Sequence, residues 1–320
     1  MNKQIRLFET VKSRLSDQST LAMVVEELLN IGENAAYRRI RGETELKFSE
    51  LEKICKAYHL SMDDFLDLKP KRGASLTYKP VDTSNLESYT NYRQQLLDRF
   101  RAIKSEPCGE IIFATQDIPF YHLLTYPELA FFWLYVWNDT LYPSPSSFCK
   151  FYNCAEKNGI LSVYRQIYNE YLKIPSKEIW TEHTIVPLLK LIEYYAEIER
   201  FESRDMAQIL LEQIKMLMDT VQGYAEAGYK DETPFNMYHC SVEIDSAVLL
   251  TKGIKPLCRI RFSTVNSMVT DDESICREME KWMNDLISKS TLISGASSLK
   301  DRLHFFKQAK SKIDALSGKI

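Results

Sequence analysis

Within Glu33–Arg41 (ENAAYRRIR), three polar side chains stand at positions i, i+1 and i+5: Glu33, Asn34 and Arg38. On a helix that spacing gathers them on one side and leaves Ala36, Tyr37 and Ile40 to pack inward. The chemistry open to such a face is hydrogen-bond recognition. The Asn34 amide both donates and accepts, the Arg38 guanidinium is a planar fork of donors, and the Glu33 carboxylate only accepts. Arg39, Arg41 and Lys47 add positive charge nearby, and Ser19 and Thr20 add hydroxyls just ahead of the preceding helix.

Bond-making chemistry has no comparable constellation. The five histidines (59, 122, 183, 239 and 304) are dispersed, with no H-x-x-x-H and no cysteine pair at zinc spacing. Neither G-x-G-x-x-G, G-K-[ST] nor G-x-S-x-G occurs. His239-Cys240 is an adjacent pair at the start of an expected strand, where neighbouring side chains point to opposite faces. It reads as a half-buried thiol beside an exposed imidazole. Cys149 and Cys154, five apart on an expected helix, read as core packing. No catalytic residue, metal or cofactor is expected, and the chain reads as a non-enzyme.

The elements that must position Glu33, Asn34 and Arg38 are short helices. Ile5, Phe8, Val11, Lys12 and Leu15 mark the first, which Ser16-Asp-Gln-Ser19 ends, and a second runs from about Thr20 to Leu29. Asn30 suits the left-handed residue that closes a helix, and Gly32 can cap the next. That third helix covers Glu33–Arg41 and stops at Gly42. A fourth spans about Phe48 to Tyr58, and Ser61 caps a fifth through Leu66, with Asp63 and Asp64 in its first turn.

The segment Val24–Leu66, VVEELLNIGENAAYRRIRGETELKFSELEKICKAYHLSMDDFL, resembles the helix-turn-helix domain of the Cro/repressor-like (XRE) regulators. Leu29-Asn30-Ile31-Gly32 occupies the place of the family's turn, Glu33–Arg41 that of its recognition helix, and Leu51–Leu66 that of its closing helices. Glu26 stands where the family usually has a small residue. The resemblance covers residues 1–68 and implies a five-helix DNA-binding domain. A major groove about 12 Å wide admits one such helix; Asn pairs bidentately with adenine, Arg with guanine, and Glu accepts from cytosine. The implied DNA contacts are Ser19, Thr20, Glu33, Asn34, Ala35, Arg38, Arg39, Arg41 and Lys47, with Arg39, Arg41, Lys47, Ser19 and Thr20 directed at phosphates.

Residues 69–84, KPKRGASLTYKPVDTS, have two prolines, a glycine and no apolar periodicity, and read as a linker. Beyond it, residues 85–320 are expected to form a larger α-rich domain. Helical patterns recur at 86–103, 127–138, 146–156, 160–172, 182–200, 204–227, about 271–286 and 298–316. A small β element interrupts them: 110–115 is strand-like, and 239–250 with 256–267 reads as a hairpin around Thr251–Ile254. Successive helical pairs leave a solenoid open. The aromatic-rich stretch Phe120–Phe151 suits a domain core, a ligand cavity or a dimer interface.

Composition agrees with a mainly α, soluble, intracellular protein. Of 320 residues, 45% are hydrophobic and 27% charged, which excludes intrinsic disorder. The formal net charge of −3 excludes a uniformly basic nucleic-acid coat. Residues 1–72 hold 13 basic and 12 acidic side chains, a net of +1, so DNA recognition would rest on local placement. The seven scattered cysteines suit a reducing cytoplasm, and the most apolar run, Leu129–Trp137, is too short for a membrane span. The expected partners are double-stranded DNA and a second copy of the chain, with a small-molecule or peptide effector as a further role for residues 85–320. The alternative is a protein- or peptide-binding adaptor whose N-terminal bundle is a docking module.

Overall fold

The computed structural model describes residues 3–12, 15, 20–58, 60, 62, 76–78, 80–105, 109–142, 146–156, 159–242, 244–251, 256–262 and 266–320. The chain divides into two compact units, Met1–Ala74 and Ser75–Ile320. The division falls inside the segment expected as a linker, whose later part is already built into the second unit. Thr77–Tyr78 is a strand of its sheet. Val81 is buried, and its N–H donates to Asn266 Oδ1 at 2.9 Å.

In the first unit, α1 (Lys3–Lys12) buries Leu7, Phe8 and Val11, and α2 (Leu21–Leu29) buries Ala22, Val25 and Leu29. Next, α3 (Glu33–Ile40) buries Ala36, and α4 (Phe48–Ala57) buries Ile54 and Cys55. All of these but Ala22, closed by Leu60, form one core. The expected fifth helix, 61–66, lies outside the described residues except for Met62, which packs against that core.

The second unit is a sheet between helical layers, which replaces the solenoid left open by the sequence. Its strands are β1 (Thr77–Tyr78), β2 (Glu110–Ala114), β3 (Ser176–Trp180), β4 (Tyr229–Lys230), β5 (Thr233–His239), β6 (Ala247–Thr251), β7 (Leu257–Arg261), β8 (Ser267–Thr270) and β9 (Thr291–Leu292). Their order is β1-β8-β7-β6-β2-β3-β5-β4, with β9 beside β5. The hairpin expected from the sequence is β6–β7, Leu249 opposite Cys258. It is one part of a sheet whose centre, β2–β3–β5, is parallel. The run expected as one strand from His239 to Leu250 is two, because β5 ends at His239 and β6 begins at Ala247. Helices still dominate, and the chain is mainly α.

Alternation along the strands divides the interior. Ile111, Phe113, Trp180, Phe235 and Met237 face a large core shared with α5 (Leu86–Lys104), α6 (Phe120–Leu123), α7 (Pro127–Leu141), α8 (Phe148–Glu156), α9 (Ile160–Leu172), α10 (Val186–Glu197), α11 (Arg204–Ala227) and α13 (Leu299–Ser317). Ile112, Ala114, Ile179, Leu249 and Cys258 face a smaller core under α12 (Glu273–Ser288). In the aromatic-rich stretch, Phe131, Phe132, Tyr135 and Phe148 are core. Cys149 is half-buried and Cys154 exposed, so neither is the core residue expected. Of the His239-Cys240 pair, the thiol is fully buried and the imidazole half-buried against Phe305.

A charged network crosses the larger core. The Glu178 carboxylate receives hydrogen bonds from Trp180 Nε1 at 2.9 Å and from the Tyr171 hydroxyl, and pairs with His122 Nε2 at 3.0 Å. Burial opposes its ionisation, but His122, Tyr171 and Lys230 outweigh that and hold its carboxyl below the usual range. Lys230 donates from Nζ to the Tyr171 carbonyl at 2.7 Å, and burial pulls its pKa far down.

Candidate nucleic-acid interface

The connection between α2 and α3 is three residues, Asn30-Ile31-Gly32. Thr20 caps the start of α2, its hydroxyl accepting from Met23 N at 3.4 Å. At the other end Asn30 is left-handed (φ 53°), its N–H donating to the Glu27 carbonyl while Ile31 N donates to that of Glu26. These paired bonds satisfy the last carbonyls of the helix and turn the chain sharply. Gly32 then caps α3 with extended backbone, leaving its first amides unsatisfied by side chains. Beyond Arg41, Gly42 takes φ 74°, with Gly42 N on the Arg39 carbonyl and Glu43 N on that of Arg38. A β-branched or bulky residue there would be strained.

α3 therefore packs on the core through Ala36, which is fully buried, with Ile40 half-buried. Its exposed side chains are Glu33, Asn34, Tyr37, Arg38 and, past its end, Arg41. Tyr37 corrects the sequence expectation. It is 43% exposed and shares the outer face with Asn34 and Arg38. Ala36, one residue and about 100° round the helix, faces the core in its place. Ala35 is half-buried beside this face.

Arg39 also differs from expectation. It turns back toward α4, donating from Nε to Glu50 Oε2 at 3.1 Å and from Nη2 to Oε1 at 2.8 Å. The same carboxylate accepts from Lys47 N at 3.0 Å. The Arg39 hydrogen bond, chief among these contacts and opposed by partial burial, holds the Glu50 carboxyl below the usual glutamate range. Arg39 thus ties α3 to α4. Arg41 remains exposed, with Glu43 at 3.4 Å, and Lys47 is exposed at the head of α4. Ser19 lies outside the described residues, as do Lys69, Lys71 and Arg72.

Sequence reasoning missed Gln4. Its amide donates to the carbonyls of Arg39 (2.7 Å) and Thr44 (2.8 Å) and accepts from Leu46 N at 3.0 Å, tying α1 to the loop after α3. These partners lie 35 to 42 residues away, and no local pattern announces them. Tyr37 had a usable signal, since i+4 from Glu33 and i+3 from Asn34 is the same face.

A capped helix, a three-residue turn and a second helix with a polar outer face form a helix-turn-helix. Residues 14–71 match the model of the Cro/C1-type HTH DNA-binding domain, and the first unit is a domain of that kind. Such a domain defines, in general terms, a DNA-binding transcription regulator. No curated protein and no solved structure matches the chain. Among the described residues, no helix is long and apolar enough to cross a membrane, and no cluster of His, Cys, Asp and Glu is placed to hold a metal ion.

Proposed function

We propose that the protein is a sequence-specific, non-enzymatic regulator of transcription acting in the cytoplasm, with α3 lying in the major groove. The observation that carries this reading is the exposed row Glu33, Asn34, Tyr37 and Arg38 on a helix fixed at both ends. In this reading Asn34 and Arg38 read base edges, and Tyr37 offers its ring to a thymine methyl or a sugar. Thr20, Arg41 and Lys47 lie along the backbone, where contacts set register without reading sequence.

An eight-residue helix spans few base pairs. Two copies of the chain therefore bind half-sites about 34–36 Å apart, one helical turn. Residues 85–320 supply the pairing surface and sense a signal.

Selection of duplexes from a random library by the full-length protein tests the proposal. The expected result is a two-fold-related consensus whose affinity falls linearly with log salt, with a slope of about −0.9 per phosphate neutralised. Failure to retain any duplex would favour the adaptor, whose apolar contacts with a peptide or protein respond little to ionic strength.

A further inference from the structure

The second unit contains a cavity of about 120 Å³ at the C-terminal end of β2, lined by Arg93, Arg259, Arg261, Phe120, Trp133 and Trp137 among others. At β2 the sheet changes character: β3 runs parallel on one side and β6 antiparallel on the other. In open α/β sheets ligands bind outside the carboxyl ends of the strands, the end of β2 at which this cavity lies.

The charge of this cavity is unbalanced. Arg93 comes from α5, is 2% exposed and has no carboxylate partner among the described residues. Its Nε donates to the Tyr89 hydroxyl at 2.7 Å, while Nη2 is buried without a hydrogen-bond partner. Its guanidinium lies 4.1 Å from the Phe120 ring centre and 5.6 Å from that of Trp133. Burial pushes the phenols of Tyr89 and Tyr164 up, so neither supplies negative charge at neutral pH. Arg259 projects from β7, its Nε on Ser267 Oγ at 2.6 Å and Nη2 on the Tyr92 hydroxyl at 2.8 Å, both neutral acceptors. Among the described residues, only Arg261 of the three meets an acid, Asp117.

An uncompensated guanidinium in low dielectric is costly, and aromatic faces offset only part of the cost. An incoming anion would offset the rest. Beside the arginines, Phe120 stacks on Trp133 at 4.4 Å, and Trp133 packs against Trp137 at 3.3 Å, giving a contiguous aromatic surface. We infer that this cavity binds a small organic anion, a carboxylate or phosphate on a planar apolar body, with Arg93 and Arg259 taking the charge and Phe120, Trp133 and Trp137 the body. This deepens the sensing role proposed for the second unit, and rests on that reading for its regulatory meaning alone.

Two of the four tryptophans line the cavity, so intrinsic fluorescence of the full-length protein reports on it. The probes are benzoate, phenyl phosphate and inorganic phosphate, which separate carboxylate from phosphate, and neutral benzamide as control. Benzoate or phenyl phosphate should quench saturably and raise the melting temperature, with benzamide at least ~10-fold weaker, as expected when a buried charge pair is lost. Arg259→Gln, at a half-buried position, should lose ~10-fold in affinity or more while its circular dichroism spectrum stays that of the folded protein. Arg93→Gln should lose binding too, but Arg259→Gln carries the test should that variant fail to fold. Equal binding of benzamide, an unaffected Arg259→Gln, or no saturable response to any anion would overturn the proposal. Operator affinity measured with and without the bound probe separates the two readings. Binding that leaves it unchanged keeps the site and removes the sensing role.

Discussion

The guanidinium of Arg39, on the third helix, grips the carboxylate of Glu50, on the fourth, through two parallel hydrogen bonds of 3.1 and 2.8 Å. Both side chains are 13% exposed. Since Glu50 also accepts from the Lys47 amide, one carboxylate closes the head of α4 and fixes the tilt of α3. The outward direction of Asn34 and Arg38 thus depends on a contact far from any base, and this has an acid-sensitive consequence.

The Glu50 carboxyl titrates below its unfolded value. Its stabilisation is therefore complete above the ordinary glutamate range and is lost as pH falls through the depressed folded value. Glu50→Gln should destabilise the first unit by about 1–3 kcal/mol at neutral pH and flatten that acid response. Hydrogen exchange of peptides from α3 and α4 between pH 3 and 7 measures both. Equal acid sensitivity in wild type and variant would place the response elsewhere.

Gln4→Ala removes three hydrogen bonds that hold the loop after α3. We expect a loss of about 1–3 kcal/mol, with faster amide exchange at Leu46, because groups left without partners retain their desolvation cost. Unchanged exchange there would show that α1 does not support the loop.

Arg38→Ala should cost about 1–3 kcal/mol on the selected operator and relax one base position. Arg41→Ala should weaken operator and random duplex alike and reduce the salt slope by about 1. Fluorescence anisotropy on both duplexes across a salt series distinguishes them. Identical losses for the two variants would remove the division between base and phosphate contacts.

In the second unit, Glu178→Gln preserves shape but removes the one carboxylate that His122, Tyr171 and Trp180 address together. Breaking one partner of a buried charged set typically costs about 3–5 kcal/mol. The thermal midpoint by circular dichroism should fall accordingly. No change would mean that the network is dispensable.

What was legible in the sequence was local. The 3.6-residue rhythm placed the helix Ile160–Leu172 at its observed ends, and Asn30, Gly32 and Gly42 marked the ends of α2 and α3 through backbone chemistry alone. The strand Ser176–Trp180 was not legible. Its buried centre is Glu178, tolerable only because His122, 56 residues away, and Tyr171 meet it. Inside the candidate interface, the pairing of Arg39 with Glu50 was not legible because the two lie eleven residues apart on different helices. Tyr37 looked like core because a ring usually is. Arg93 lies more than 160 residues from Arg259 and Arg261, and no spacing rule joins it to them.

The central claim is that α3 reads sequence, and capture of sheared genomic DNA by the full-length protein at near-physiological salt tests it most directly. A variant with Asn34→Ala and Arg38→Ala is run beside wild type, leaving the Arg39–Glu50 pair intact so that the fold is retained. The account predicts a small set of enriched loci sharing one motif, lost in the variant. Identical enrichment by both proteins, or none by either, would contradict it.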